Sequence, residues 1–322
     1  MNLHLYMYSL NPNILSVLFG FLYCLYDIFY RHMLRHSLLY LLLGAVAIEA
    51  VFGLVQFFVL KDGNWLGYNV KVNRPYGIFQ KDSVFSSFLA VGLAITFYLQ
   101  RWDSKVLTSR WRQGLLSLIL VATPLLLIQV QSRAGIYGAI LATACMLPVL
   151  WSYNRRIFLW SVALMGLSLS VGLWVYTSAR AEDSYALTSG FRKLYWSHLL
   201  SMLPQSPWLG HGYGSFEYTF LHDFYAPEHI TPGMRLMEEN LDHPHNEVLF
   251  WLHEGGIVAV IGLIVFATGY IRSLLKCASW AKRISLLALV LPLLFHSMVE
   301  YPFYHSVAHF FLFIVFLWLA DA

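Results

Sequence analysis

The stretch Leu241-Asp242-His243-Pro244-His245-Asn246-Glu247-Val248-Leu249-Phe250 gathers two imidazoles, an amide and two carboxylates just ahead of a long apolar run. Histidine titrates near neutrality, so His245 can take a proton from an attacking hydroxyl. Asn246 can then hold substrate oxygens or position the ring, and Glu247 can orient the imidazole. The same polar cluster can instead cap the helix that follows, and on the residues alone both readings stand. His243 and His245, with Glu238, Glu239 and Asp242 nearby, can also be written as a metal site. Their spacing matches none of the specific zinc signatures, and neither a metal nor another cofactor is expected.

Three arginines supply complementary chemistry. Arg74 lies in Asn73-Arg74-Pro75-Tyr76-Gly77-Ile78-Phe79, Arg133 in Gln131-Ser132-Arg133-Ala134-Gly135, and Arg192 near the start of an amphipathic segment. A guanidinium stays charged and meets phosphate oxygens with a planar fork, which makes each an anion-binding candidate. Arg133 occupies a very short link between two apolar runs, where a charge without a partner is costly. The alternative is that each arginine snorkels to headgroups or pairs locally. Glu49 and Gln56 share one helix face, as an inward polar seam or a bundle hydrogen bond. His296, Glu300, Tyr301 and His305 either border the same cavity or belong to an interfacial aromatic belt.

The elements that must position these groups are membrane helices. The chain has 322 residues, 58% hydrophobic and 12% charged, with a mean hydropathy of +0.60. Its apolar residues fall in long blocks, which excludes an ordinary soluble globular protein. The blocks are 14–30, 38–60, 83–100, 115–131, 134–151, 157–176, 248–271, 284–299 and 303–320. Most match the ~20 residues that cross a bilayer as a helix, and no alternating barrel pattern appears. The expected fold is therefore all-α, a polytopic transmembrane bundle of about nine spans. The first block follows Asn11-Pro12-Asn13 without a basic segment or a clear cleavage site, so it reads as a span rather than a leader.

Short loops rich in Lys and Arg follow spans one, three, five and seven, and the positive-inside rule puts them in the cytoplasm. They carry Arg31 and Arg35, Arg101 to Arg112, Arg155 and Arg156, and Arg272 to Arg283. The 61–82 loop, with Lys61, Lys71, Arg74 and Lys81, argues mildly against that layout, and its cations are read as candidates for function. The organisation expected is helices over 1–176 with an outer loop at 61–82, a periplasmic loop over 177–247, and helices over 248–322. Within the long loop, 191–203 reads as an amphipathic helix stopped by Pro204. Residues 207–217 form a glycine-rich turn that lacks the strand and lysine of a nucleotide loop. Cys24, Cys145 and Cys277 lie in or beside spans, so no disulfide framework is indicated.

Taken in order, Arg-Pro-Tyr-Gly-Ile-Phe (74–79), Gln-Ser-Arg-Ala-Gly (131–135), Arg192 with Trp196, Pro-Trp-Leu-Gly-His-Gly-Tyr-Gly-Ser-Phe (207–216) and His-Pro-His-Asn-Glu-Val-Leu (243–249) resemble the O-antigen ligase and O-oligosaccharyltransferase superfamily of bacterial inner membranes. The resemblance runs from about residue 40 onward. Two details resemble the pilin-glycosylating branch: Glu254-Gly255-Gly256 after the histidine motif, and His296-Ser297-Met298-Val299-Glu300-Tyr301-Pro302. It implies a glycosyltransferase that moves a glycan en bloc from undecaprenyl pyrophosphate to a Ser or Thr hydroxyl of a secreted, pilin-like protein. His245 would be the base, while Arg133 and Arg192 would hold the pyrophosphate. Arg74, Asn246, Glu247 and Tyr213 would contact substrate. Members typically have about a dozen spans, more than the nine counted here. A lipopolysaccharide ligase or polysaccharide polymerase shares the donor chemistry. A lipid-linked sugar transporter is the alternative of another class, and the repeats or broken helices it favours are not evident.

Overall fold

The structure is a computed structural model that describes residues 34–70, 74–179, 189–226 and 241–321. The expected span 14–30, with Cys24 and Arg31, lies outside the described residues, as do Lys71, Asn73, Arg180, Arg235, Glu238 and Glu239. The compact unit that carries the site is Leu43–Ala322. Residues 34–42 open the first described helix and belong to the preceding unit, Met1–Leu42.

The described elements are α1 (Leu34–Phe58), α2 (Asp82–Trp102), α3 (Arg110–Val130), α4 (Arg133–Tyr153), α5 (Arg155–Ala179), α6 (Ser189–Met202), α7 (Phe216–Phe224), α8 (Glu247–Lys276), α9 (Trp280–Ser297), α10 (Pro302–His305) and α11 (Val307–Asp321). No strand occurs among them. Seven helices, α1 to α5, α8 and α9, are long and apolar enough to cross a membrane. The last expected span, 303–320, is divided. Extended backbone at Ser306 separates the single turn α10 from the 15-residue α11.

Helix α2 is the hub, buried from Ser83 to Gln100. Small residues let its neighbours approach. A side chain at Gly135 would strike Ser86, one at Gly138 would meet Pro292 of α9, and one at Gly92 would collide with Val46. The Gly135–Ser86 and Gly138–Ala90 approaches put the starts of α2 and α4 at the same end of the bundle. The opposite end collects basic residues on aromatic rings. Arg101 lies over Trp102 and Tyr153, Arg155 over Trp151, and Lys282 over Tyr98 and Trp102. Each cation thereby gains a π-face at a helix terminus.

The described part of the 177–247 loop, an insertion between α5 and α8, folds on an aromatic core. Tyr195, Leu199, Met202, Phe216, Phe220, Phe224 and Leu241 pack with Phe250 of α8. The expected amphipathic helix is α6, which ends at Met202 and tightens into a 3₁₀ turn over Leu203–Gln205. The glycine-rich turn closes a break in α8. Gly256 has a φ of 62° and a ψ of −159°, so the helix stops and restarts there. Backbone groups freed by the break pair with the turn. His211 and Gly212 N–H donate to the His253 and Glu254 carbonyls (2.8 and 3.0 Å), and Ile257 and Val258 N–H donate to the Pro207 and Trp208 carbonyls (2.9 and 3.2 Å). A buried helix break needs such partners.

Only glycine fits this closure. A Cβ on Gly256 would lie 2.4 Å from the Trp208 carbonyl oxygen, and one on Gly210 would lie 2.5 Å from that of His253. Gly256→Ala should therefore destabilise the protein by about 2 kcal/mol or more, since steric conflict adds to left-handed strain. Gly262→Ala, with nothing within 4 Å of the added methyl, should be neutral or stabilising. Thermal unfolding of both variants in detergent checks this.

Candidate active site

The loop before α2 is shaped by α1. Gln56 Oε1 accepts from the backbone N–H of Tyr76 and Gly77 (3.0 and 2.9 Å), and its Nε2 donates to the Gly77 carbonyl (3.1 Å). Glu49 Oε2 accepts from the Ile78 N–H at 3.1 Å. The shared face of Glu49 and Gln56 is thus a clamp on the Arg-Pro-Tyr-Gly-Ile motif. The clamp presents Arg74, whose Nη1 donates to the Val130 carbonyl (3.2 Å) at the end of α3. Three residues on, Arg133 opens α4 after the left-handed turn at Gln131. It is exposed.

The histidine motif is held at several points. His245 adopts a φ of +54°, a left-handed conformation that costs energy in a non-glycine residue. Its N–H donates to Nδ1 of His243 (2.9 Å), and Trp196 Nε1 of α6 donates to the Pro244 carbonyl (2.8 Å). Asn246 caps α8 by accepting from the Leu249 N–H, and its Nδ2 donates to the Met298 carbonyl (3.1 Å). The His243 ring stacks between Tyr301 (4.3 Å) and Phe250 (4.7 Å). Burial, with His245 alongside, lowers its titration from the ordinary 6.5 to about 3, so His243 stays neutral. It works as a scaffold for His245. The capping reading of this cluster is right for Asn246.

Glu300 is where the elements meet. Its Oε2 accepts from His245 Nδ1 at 3.0 Å, its Oε1 accepts from Arg192 Nη2 at 2.8 Å, and Lys81 Nζ stands 3.6 Å from Oε2. Burial alone would raise this carboxyl. The His245 hydrogen bond and the charges of His245, Lys81 and Arg192 outweigh it and pull the value from 4.5 to about 2. An ionised carboxylate only accepts, so a proton sits on His245 Nδ1 in this contact and Nε2 is the ring nitrogen left to face a substrate. Nε2 makes no hydrogen bond among the described residues, and the side chain is 21% exposed. Lys81 also meets His305 Nε2 (2.9 Å) and lies 4.7 Å over Tyr301, whose hydroxyl donates to Asp242.

The structure therefore joins His245, Arg192 and Asn246, and adds Glu300 and Lys81. The carboxylate that orients His245 is Glu300, not Glu247. Glu247 is buried in the first turn of α8, where Trp251 approaches it. Tyr213 is 72% exposed and tilts against Trp251 on the insertion. Arg74 and Arg133 share the α3–α4 turn at the same end of the bundle. Among the described residues, no cluster of three His, Cys, Asp or Glu side chains is arranged for a metal ion. The role of Glu300 was signalled only by its place in the His296–Tyr301 motif, and Lys81 by its place among the loop cations.

The O-antigen ligase family model matches residues 115–267. A second model, of the C-terminal part of a virulence factor membrane-bound polymerase, matches residues 284–322. The two matches support the O-antigen ligase superfamily. They indicate a membrane protein of the O-antigen ligase or polymerase type. His245 falls within the first match and Glu300 within the second, so the pair joins the two matched regions. Arg74 and Lys81 precede both. No curated protein matches the chain.

The charge on Glu300 has a measurable signature. A carboxyl that titrates near 2 when folded and near 4.5 otherwise stabilises the protein above pH ~4.5 and ceases to do so as pH falls toward 2. The melting-temperature gap between wild type and Glu300→Gln should be widest above pH 4.5 and should narrow below it. Thermal scans over pH 2.5–7 test this, and a gap independent of pH would contradict it.

Proposed function

We propose that this chain transfers a glycan en bloc from undecaprenyl pyrophosphate to a Ser or Thr hydroxyl of a periplasmic protein such as a pilin. The observation that carries the reading is the His245–Glu300 pair, with Nδ1 engaged and Nε2 open. In the reaction, the acceptor oxygen forms a bond to the anomeric carbon while the bond from that carbon to the phosphate oxygen breaks. The acceptor proton passes to His245 Nε2, and the pyrophosphate departs with the bonding electron pair. Glu300 stabilises the imidazolium that results, as the carboxylate of a catalytic triad does. Arg133, Arg192 and Arg74 balance the charge that develops on the leaving group. Tyr213, exposed on the insertion, is available to the acceptor, while Asn246 and Glu247 serve the start of α8.

The basic residues gathered at the far end of the bundle support a bacterial inner-membrane orientation with this site facing the periplasm. The partners are then a lipid-linked glycan from the membrane and a secreted acceptor. The polymerase-type match over residues 284–322 favours a second reading. There the acceptor is a sugar hydroxyl and the base is the same.

Intact mass of a pilin from cells that supply the lipid-linked glycan separates these readings. Wild type should add a glycan-sized mass, and His245→Ala, equally abundant, should add none. Glu300→Gln should cut the transferred fraction by about 100-fold or more, as loss of an orienting carboxylate does. Elongated lipid-linked glycan with an unmodified pilin would favour the polymerase. Full transfer by His245→Ala would remove the mechanism.

A further inference from the structure

Lys81 belongs to no motif above, yet it stands inside the charge cluster. It precedes α2 with extended backbone (φ −139°, ψ 122°) and its side chain caps nothing. The ammonium instead reaches His305 Nε2 at 2.9 Å and Glu300 Oε2 at 3.6 Å, with 30% of the side chain exposed. Oε2 is the same oxygen that accepts from His245 Nδ1. One carboxylate oxygen thus accepts a hydrogen bond from the imidazole and faces a permanent cation at ion-pair distance. Whatever draws Lys81 away leaves that oxygen to His245.

An anion is what would draw it. Lys81 and Arg192 bracket a single carboxylate, which leaves one positive charge in excess around Glu300. An ammonium on a flexible stem can turn toward a second anion at small cost, and Lys81 stands farther from the carboxylate than Arg192 does, 3.6 against 2.8 Å. The other charged or titratable groups facing His245 are His243, His305 and Asp242, the last through Tyr301. His243 is held neutral, and burial lowers the titration of His305, with Lys81 beside it lowering it further. Lys81 is therefore the charge that can move.

We propose that Lys81 is a positioning residue that couples the donor to the base: a bound diphosphate draws its ammonium off Glu300 and hands that carboxylate to His245 alone. The base is then strongest only when the leaving group is in place, so a hydroxyl arriving without donor meets a weaker base. This inference rests on the glycan-transfer reading, because it assigns the diphosphate as ligand and His245 as base.

Calorimetry on the full chain in detergent tests it, with inorganic pyrophosphate as the probe, at pH 7.5 in buffers of different ionisation enthalpy. Wild type should take up protons on binding in excess of His245→Ala, a difference that cancels the probe's own titration. Lys81→Met should bind pyrophosphate about tenfold more weakly and lose at least half of that excess. Lys81→Arg, which keeps the charge, should retain most of both. Three results would overturn the proposal: no excess over His245→Ala, an unchanged excess in Lys81→Met, or an equal excess at equal affinity with orthophosphate. Pilin transfer that survives in His245→Ala would sink the catalytic reading by a separate route, whatever the heats show.

Discussion

One end of this bundle depends on a half-buried carboxylate that cannot be neutralised without consequence. Glu300 sits where the end of α9, the insertion helix α6, the start of α2 and the histidine motif converge. Burying a charge is unfavourable unless partners surround it, and here an arginine, a lysine and an imidazole do so. The dependence is mutual. Without the carboxylate, two cations would face each other across a half-buried site, and His245 would lose the partner that fixes its proton on Nδ1. The strained φ of His245 is tolerable for the same reason, since hydrogen bonds on either side of the residue over-determine its place.

Around that centre, the geometry is set by side chains that bond to backbone rather than to each other. Gln56 and Glu49 hold the Arg74 loop by its amides, Asn246 ties α8 to the end of α9, and Trp196 ties the insertion to Pro244. Bonds of this type fix loops at the edge of a bundle, where packing alone is weak. They also explain why the two matched regions form one site. His245 comes from the first and Glu300 from the second, and neither completes the dyad by itself.

Much of the scaffold was legible in the sequence, because a bilayer demands apolar runs of fixed length and the chain supplies them. The amphipathic helix of the insertion was legible for a similar reason, its period and its proline stop. The polar pairings were harder. Glu300 lies 55 positions beyond His245, and no local pattern ties an imidazole to a carboxylate at that distance. Glu247, two residues away, was the natural partner to expect, but the cap at Asn246 turns it into the buried first turn of α8. The glycines at 210 and 256 were visible as turn residues, yet that one closes on the other is a tertiary fact. The expected final span is divided at Ser306, where extended backbone interrupts an apolar run that hydropathy reads as continuous.

The break at Gly256 also sets a depth. From Ile257 to Lys276 the helix is about 30 Å long at 1.5 Å per residue, the thickness of a hydrocarbon core. Its face is largely open, with Val258, Ile261, Ile264 and Val265 exposed as side chains turned to acyl chains would be. Trp208 and Leu209, 66% and 72% exposed, lie beside the break, and an exposed indole suits a membrane interface. The two and a half turns of helix before the break, from Glu247 to Gly255, are about 14 Å long. The histidine motif at the start of α8 is therefore held that length of helix away from the break. A thicker or thinner membrane would shift the break relative to the interface, which makes bilayer composition a variable of this end of the protein.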